Sequence, residues 1–124
     1  RIPSKRGSHT RIEYRSPDPS CNPYLALAVL LTAGLDGIRN KIEPPPPVNR
    51  NIYSMTDEER LEGAVPALPN NLYSALKELE GNRLIREALG EHLFEKYYEA
   101  KMIEWDEYRV QVTRWELEKY LNKF

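Results

Sequence analysis

The chain has 124 residues, 18 basic and 19 acidic side chains, a formal net charge of −1, and 40% hydrophobic against 30% charged residues. That size and balance suit one soluble, helix-rich domain, or part of one, with a modest core. They exclude a membrane-spanning helix within the chain, since residues 24–35 form too short an apolar stretch, and the single Cys21 excludes a disulfide framework or a cysteine-based metal site.

The N-terminal residues are locally basic. Arg1, Lys5, Arg6, Arg11 and Arg15 face a single acid, Glu13, so the remainder of this nearly neutral chain is net acidic. Residues 11–16 predict a short strand. Side chains alternate in an extended segment, which places Arg11, Glu13 and Arg15 on one side and Ile12 and Tyr14 on the other. A cation–anion–cation row is costly unless something multiply charged sits before it. Arginine grips phosphate or carboxylate oxygens in a two-pronged way that lysine cannot, so the row points to anion recognition. The plainer reading is a solvated basic terminus, and the alternation with Ile12 and Tyr14 weighs against it.

Asn22 and Pro23 then open a helix as N-cap and first helical residue, with Asp18 just upstream. Leu25, Ala28, Val29, Leu31, Thr32 and Leu35 recur at helical steps while Ala26, Leu27 and Leu30 fill other faces, so this helix is expected to be mostly buried. It ends near Lys41, because the run Pro44-Pro45-Pro46-Pro47 is a stiff connector that no helix continues through. Thr56-Asp57-Glu58-Glu59 is a capping box for a short helix stopping by Gly63. Asn71 caps a helix to Glu80 with Leu72, Leu76 and Leu79 inward, and Asn82 restarts it towards Leu89 and Gly90. A longer helix runs from Glu91 to about Val110, and Thr113-Arg114-Trp115-Glu116 caps a last one to about Leu121. Aromatic residues at helical spacing, among them Phe94, Tyr98, Trp105 and Tyr108, are read as core or subunit packing rather than a stacking surface. His9 lies in the basic loop, whereas His92 has no second ligand at usable spacing. No phosphate loop and no nucleophile–histidine constellation is present. The fold class is therefore mainly α, with a short N-terminal β-strand and a helical C-terminal region.

Several motifs together resemble one family. Arg1-Ile2-Pro3, Arg11-Ile12-Glu13-Tyr14-Arg15, Asp18-Pro19, Asn22-Pro23-Tyr24-Leu25, Ala33-Gly34-Leu35-Asp36-Gly37-Ile38 and Asn40-Lys41 occur in the order and spacing of the C-terminal part of type I glutamine synthetase. Asn51-Ile52-Tyr53, Glu104-Trp105 and Trp115-Glu116 fit it too, so the resemblance covers essentially the whole chain. It implies an ATP-dependent ligase that joins ammonia to L-glutamate through γ-glutamyl phosphate. It implies Glu13 as a ligand of Mg²⁺ or Mn²⁺, and Arg15 as the catalytic residue that holds the substrate glutamate. Arg1, Arg11 and, more weakly, Arg6 are implied as contacts to the nucleotide phosphates. Residues 1–22 would be active-site loop and strand, and residues 23–124 a helical region of the catalytic domain.

A chain that does not begin with Met and carries its most charged motif at the N-terminus is expected to be a piece of a longer protein. By the resemblance, the family's N-terminal domain and most of its catalytic barrel, with most metal ligands, would precede residue 1. The implied partners are L-glutamate, ammonia and ATP in a cytoplasmic homo-oligomer, the family's two-ring dodecamer, with no nucleic acid and no membrane. Some branches of the family adenylylate a tyrosine matching Tyr53, and the residues around it here look more like the branch without that modification. The alternative is a non-catalytic homologue that binds without reacting. Nucleic-acid binding through the basic cluster is disfavoured by the acidic helical remainder, which has no basic stripe.

Overall fold

The computed structural model describes residues 2, 7–63, 65–121 and 123. Six α-helices follow one another: α1 (Pro23–Arg39), α2 (Asp57–Glu62), α3 (Leu72–Gly81), α4 (Arg83–Leu89), α5 (Glu91–Arg109) and α6 (Arg114–Tyr120). Two single 3-10 turns, Gly7–His9 and Ile52–Ser54, complete the regular structure among the described residues.

The helix starts obey local chemistry. Asn22 Oδ1 accepts the amides of Tyr24 and Leu25 at 3.0 and 3.3 Å, which satisfies donors that the first turn leaves open. Asn71 accepts the Ser74 amide at 2.8 Å and Asn82 the Ile85 amide at 3.1 Å, starting α3 and α4. Thr56 with Glu59, and Thr113 with Glu116, form reciprocal capping boxes at α2 and α6. α5 begins without a side-chain cap. Gly90 turns into it at φ +75°, a conformation that costs glycine little.

The end of α1 breaks the usual residue preference. The Ile42 amide donates to the Gly37 carbonyl at 2.9 Å and the Lys41 amide to that of Ile38 at 3.3 Å, a Schellman ending. The residue forced into the left-handed region there is Lys41, at φ 51°, where glycine is the common choice. Lys41→Gly is therefore expected to stabilise the chain by about 1 kcal/mol, less the extra unfolded-state freedom of glycine. A urea titration of both proteins checks it, and a lower midpoint for the variant would contradict it.

α4 is the hub: it packs against α1, α3 and α5, and α3 also packs along α5. Leu76 of α3 and Phe94 of α5, each 2% exposed, lie at the centre, while Met55 is buried separately beside the loop that leads into α2. Of the aromatic residues read as packing, Phe94 is buried and Tyr98 and Trp105 are half-buried, whereas Tyr108 is 66% exposed. Tyr73 stacks on Trp105 with centroids 6.0 Å apart, and Phe94 stacks on Tyr98 at 6.3 Å. The Arg86 guanidinium lies over the Phe94 ring, 3.9 Å from its centroid, and pairs with Glu91.

Two expectations are corrected. Residues 11–16 form no strand: they carry no regular secondary structure, and no backbone hydrogen bond among the described residues ties them to a neighbour. A strand exists only as part of a ladder, and the described residues supply no second strand to pair with. Nor is α1 mostly buried. Leu25, Ala26 and Val29 share an apolar groove of ≈ 280 Å³ with Leu72, Leu76 and Ile85. Elsewhere on the helix Leu27, Leu31 and Ile38 are 64%, 65% and 76% exposed. The helix is apolar nearly all round, but its main packing partner is α4, which covers one side only.

Candidate functional site

The alternation of residues 11–15 survives without the strand. Glu13 lies between the two arginines: Arg11 Nη2 donates to its Oε1 and Arg15 Nη2 to its Oε2, both at 2.9 Å. Arg11 Nη1 also donates to the His9 carbonyl at 3.3 Å, so His9 contributes its backbone to this cluster. Just before it, the Thr10 amide closes the Gly7–His9 turn on the Gly7 carbonyl at 3.0 Å, with Gly7 at φ +77°. Both arginine side chains remain more than half exposed, whereas the Glu13 side chain is 24% exposed. Ion pairs this exposed are individually weak, which leaves both arginines able to turn to a stronger anion. Arg1 and Arg6 lie outside the described residues.

Downstream, the connection to α1 is tightly organised. Asp18 Oδ1 accepts the Ser20 amide at 2.7 Å and the Ser20 hydroxyl at 2.6 Å, and the Cys21 amide donates to the Asp18 carbonyl at 3.2 Å. The Ser20 hydroxyl and then its amide hold the Asp18 carboxyl below the usual carboxylate range. Desolvation opposes them, and the Cys21 amide and the Lys101 ammonium of α5 add lesser lowering contributions. Apart from its place in the Asp18-Pro19 motif, Asp18 stands out in the sequence as an acid near a helix start. The signal for more is local: an aspartate with serine two residues on is a standard Asx-turn pattern. Cys21 itself is exposed, and His92 sits apart on α5.

As a metal centre the cluster is incomplete. Glu13 offers one carboxylate with an arginine on each oxygen, and no group of three or more His, Cys, Asp or Glu side chains that could hold a metal ion occurs among the described residues. A hard divalent ion needs about six oxygen ligands, so these residues do not fit one unaided. The arrangement suits an anion better: two forked cations set on one side of the backbone, spaced by a carboxylate that keeps them from repelling each other. Among the described residues no helix is long and apolar enough to cross a membrane.

Residues 1–120 match the family model described as glutamine synthetase, catalytic domain. The chain is 53% identical over 124 residues to the glutamine synthetase of Clostridium saccharobutylicum, covering 100% of this chain and 28% of that protein. It is 58% identical over 121 residues to the glutamine synthetase of Thermotoga maritima, covering 98% and 28%. A solved structure described as "Apo GmaS without ligand" superposes with a TM-score of 0.69 at 33% identity, over 87% of this chain and 24% of that one. The chain thus spans little more than a quarter of the length of the curated relatives it matches. With the family model matched over nearly every residue, including the Arg11–Glu13–Arg15 cluster, the chain belongs to the glutamine synthetase catalytic-domain family.

Proposed function

We propose that the chain acts as the C-terminal part of a glutamine synthetase, an ATP-dependent ligase that forms L-glutamine from L-glutamate and ammonia in the cytoplasm. The observation that carries this is the Arg11–Glu13–Arg15 cluster, held by two 2.9 Å ion pairs in a chain 52–58% identical to proteins of that name. In the reaction the glutamate γ-carboxylate attacks the terminal phosphorus of ATP and releases ADP; ammonia then displaces phosphate from the acyl carbon. Both steps spread negative charge over oxygens, and catalysis of such transfers rests on positioning and charge neutralisation.

Arg15 is assigned to the substrate glutamate and its developing charge. Arg11, with Arg1 and Arg6, is assigned to the nucleotide phosphates. Glu13 is assigned as one ligand of Mg²⁺ or Mn²⁺, and the remaining ligands belong to the rest of the parent protein. A bound divalent ion would supply neutralisation of phosphate charge. Residues 11–16 find their strand partner in that remainder, which also covers the outer face of α1, in a homo-oligomer such as the family's dodecamer.

The test is an assay of glutamine formation and phosphate release with glutamate, ammonia, ATP and Mg²⁺ or Mn²⁺. The full-length parent is expected to turn over and the 124-residue chain to read as background, because Arg11 and Arg15 outweigh the single Glu13 carboxylate and repel a cation that lacks its other acidic ligands. Turnover by the chain alone, once contaminating full-length enzyme is excluded, would show the active site to be misplaced. A parent that binds ATP but makes no glutamine would favour the non-catalytic homologue.

A further inference from the structure

Between the charged cluster and α1 lies a bracket that neither the ion pairs nor the helix packing explains. Residues 11–16 have no regular structure to fix their direction. The segment after them is stiff: Pro17 and Pro19 lock their own φ angles and restrict Ser16 and Asp18 before them. Between the prolines, Asp18 gathers the Ser20 amide and hydroxyl on one oxygen at 2.7 and 2.6 Å, and its carbonyl takes the Cys21 amide at 3.2 Å. The next residue, Asn22, caps α1, which packs on α4. The path from the packed helices towards Arg15 therefore runs through the Asp18 turn and its two flanking prolines, and only Ser16, restricted by Pro17, separates this stiff segment from Arg15.

Resting on the functional reading above, we infer that Asp18 is a positioning residue. Its hydrogen-bonded turn sets the angle at which the chain leaves α1, and so aims the Arg15 guanidinium at the substrate glutamate. Arg15 stands three residues from Asp18 and Arg11 seven, so a loosened turn displaces Arg15 first. Lys101 contributes to the charge around Asp18 from α5, but the turn itself is made by the oxygen acceptors. An asparagine at this position keeps the acceptor Oδ1 and loses only the charge.

The experiment uses the full-length parent enzyme and its Asp18→Ala, Asp18→Asn and Ser20→Ala variants, with KM for glutamate, KM for ATP, kcat and Tm measured for each. Asp18→Ala is expected to lower kcat, in the direction of Arg15→Ala but less far, and to raise the glutamate KM on the order of tenfold, as misplacement of a group that serves the substrate does, with a smaller change for ATP and Tm unchanged. Asp18→Asn is expected to restore wild-type constants. Unaltered kinetics in Asp18→Ala overturn the inference, as does an Asp18→Asn enzyme equally impaired, or equal rises in both KM values with a fall in Tm. Should Asp18→Ala fail to assemble, Ser20→Ala decides: a smaller rise confined to glutamate supports the inference, and an unchanged glutamate KM overturns it. A wild-type parent that makes no glutamine sinks the functional reading and this role with it, whereas an active parent indifferent to Asp18 sinks this role alone.

Discussion

Arg15→Ala in the full-length parent is expected to lower turnover by on the order of a hundredfold or more, the usual consequence of removing one preorganised donor from a charge-developing site. The Arg15 side chain is 70% exposed and is held by Glu13 through Nη2 at 2.9 Å, which leaves it open to a substrate carboxylate. Alanine removes the fork entirely, and lysine, a point charge without the planar pair of donors, is expected to rescue little. The kinetic signature separates the roles of neighbouring residues. Arg15→Ala depresses kcat more than it weakens nucleotide binding, because its assigned partner is glutamate. Glu13→Ala instead weakens metal-dependent use of ATP and leaves Arg11 and Arg15 as adjacent like charges. Steady-state kinetics with each substrate varied in turn measures both, and wild-type turnover in Arg15→Ala would remove that residue from the site.

Leu76→Ala is expected to cost about 3 kcal/mol of folding stability, in the range found for fully buried leucines. Leu76 is 2% exposed and shares that degree of burial only with Phe94 among the described residues. It also borders the ≈ 280 Å³ groove under α1, so truncation enlarges an existing void that its neighbours have not closed. In a domain this small such a loss is a large part of the whole, and the variant chain is expected to lose its cooperative transition. Far-UV circular dichroism in a urea titration reads this directly. A midpoint equal to wild type would mean that the centre of the packing lies elsewhere.

The helix starts are legible in the sequence because their causes are local. Asn22, Asn71 and Asn82, and the Thr56–Glu59 and Thr113–Glu116 pairs, each act within a few residues, so sequence spacing carries the information. The same holds for Arg11, Glu13 and Arg15, whose alternation depends only on the backbone between them. The features that escape the sequence are non-local. Whether residues 11–16 become a strand depends on a ladder partner, and whether Leu27 and Leu31 are buried depends on what lies over α1; neither is encoded in the segment itself. Asp18 is a different kind of miss. Its turn is local and its Asp-Pro-Ser pattern is readable, but a charge near a helix start is the more conspicuous signal and masks the acceptor geometry. Lys41 is hidden for the opposite reason, since a lysine gives no hint of a left-handed backbone.

The two apolar sides of α1 place different demands on mutation. Changes at Leu25, Ala26 or Val29 are felt by the chain itself, because those side chains share the groove with α3 and α4. Changes at Leu27, Leu31 or Ile38 touch side chains that the chain leaves in water, so there a swap to serine or glutamate costs little and improves solubility. In the proposed parent the same swaps would put a polar group where an apolar one is covered. A library selected on the 124-residue chain would consequently drift towards polar residues along one stripe of α1, producing variants that are better behaved alone and ill-suited to the proposed parent.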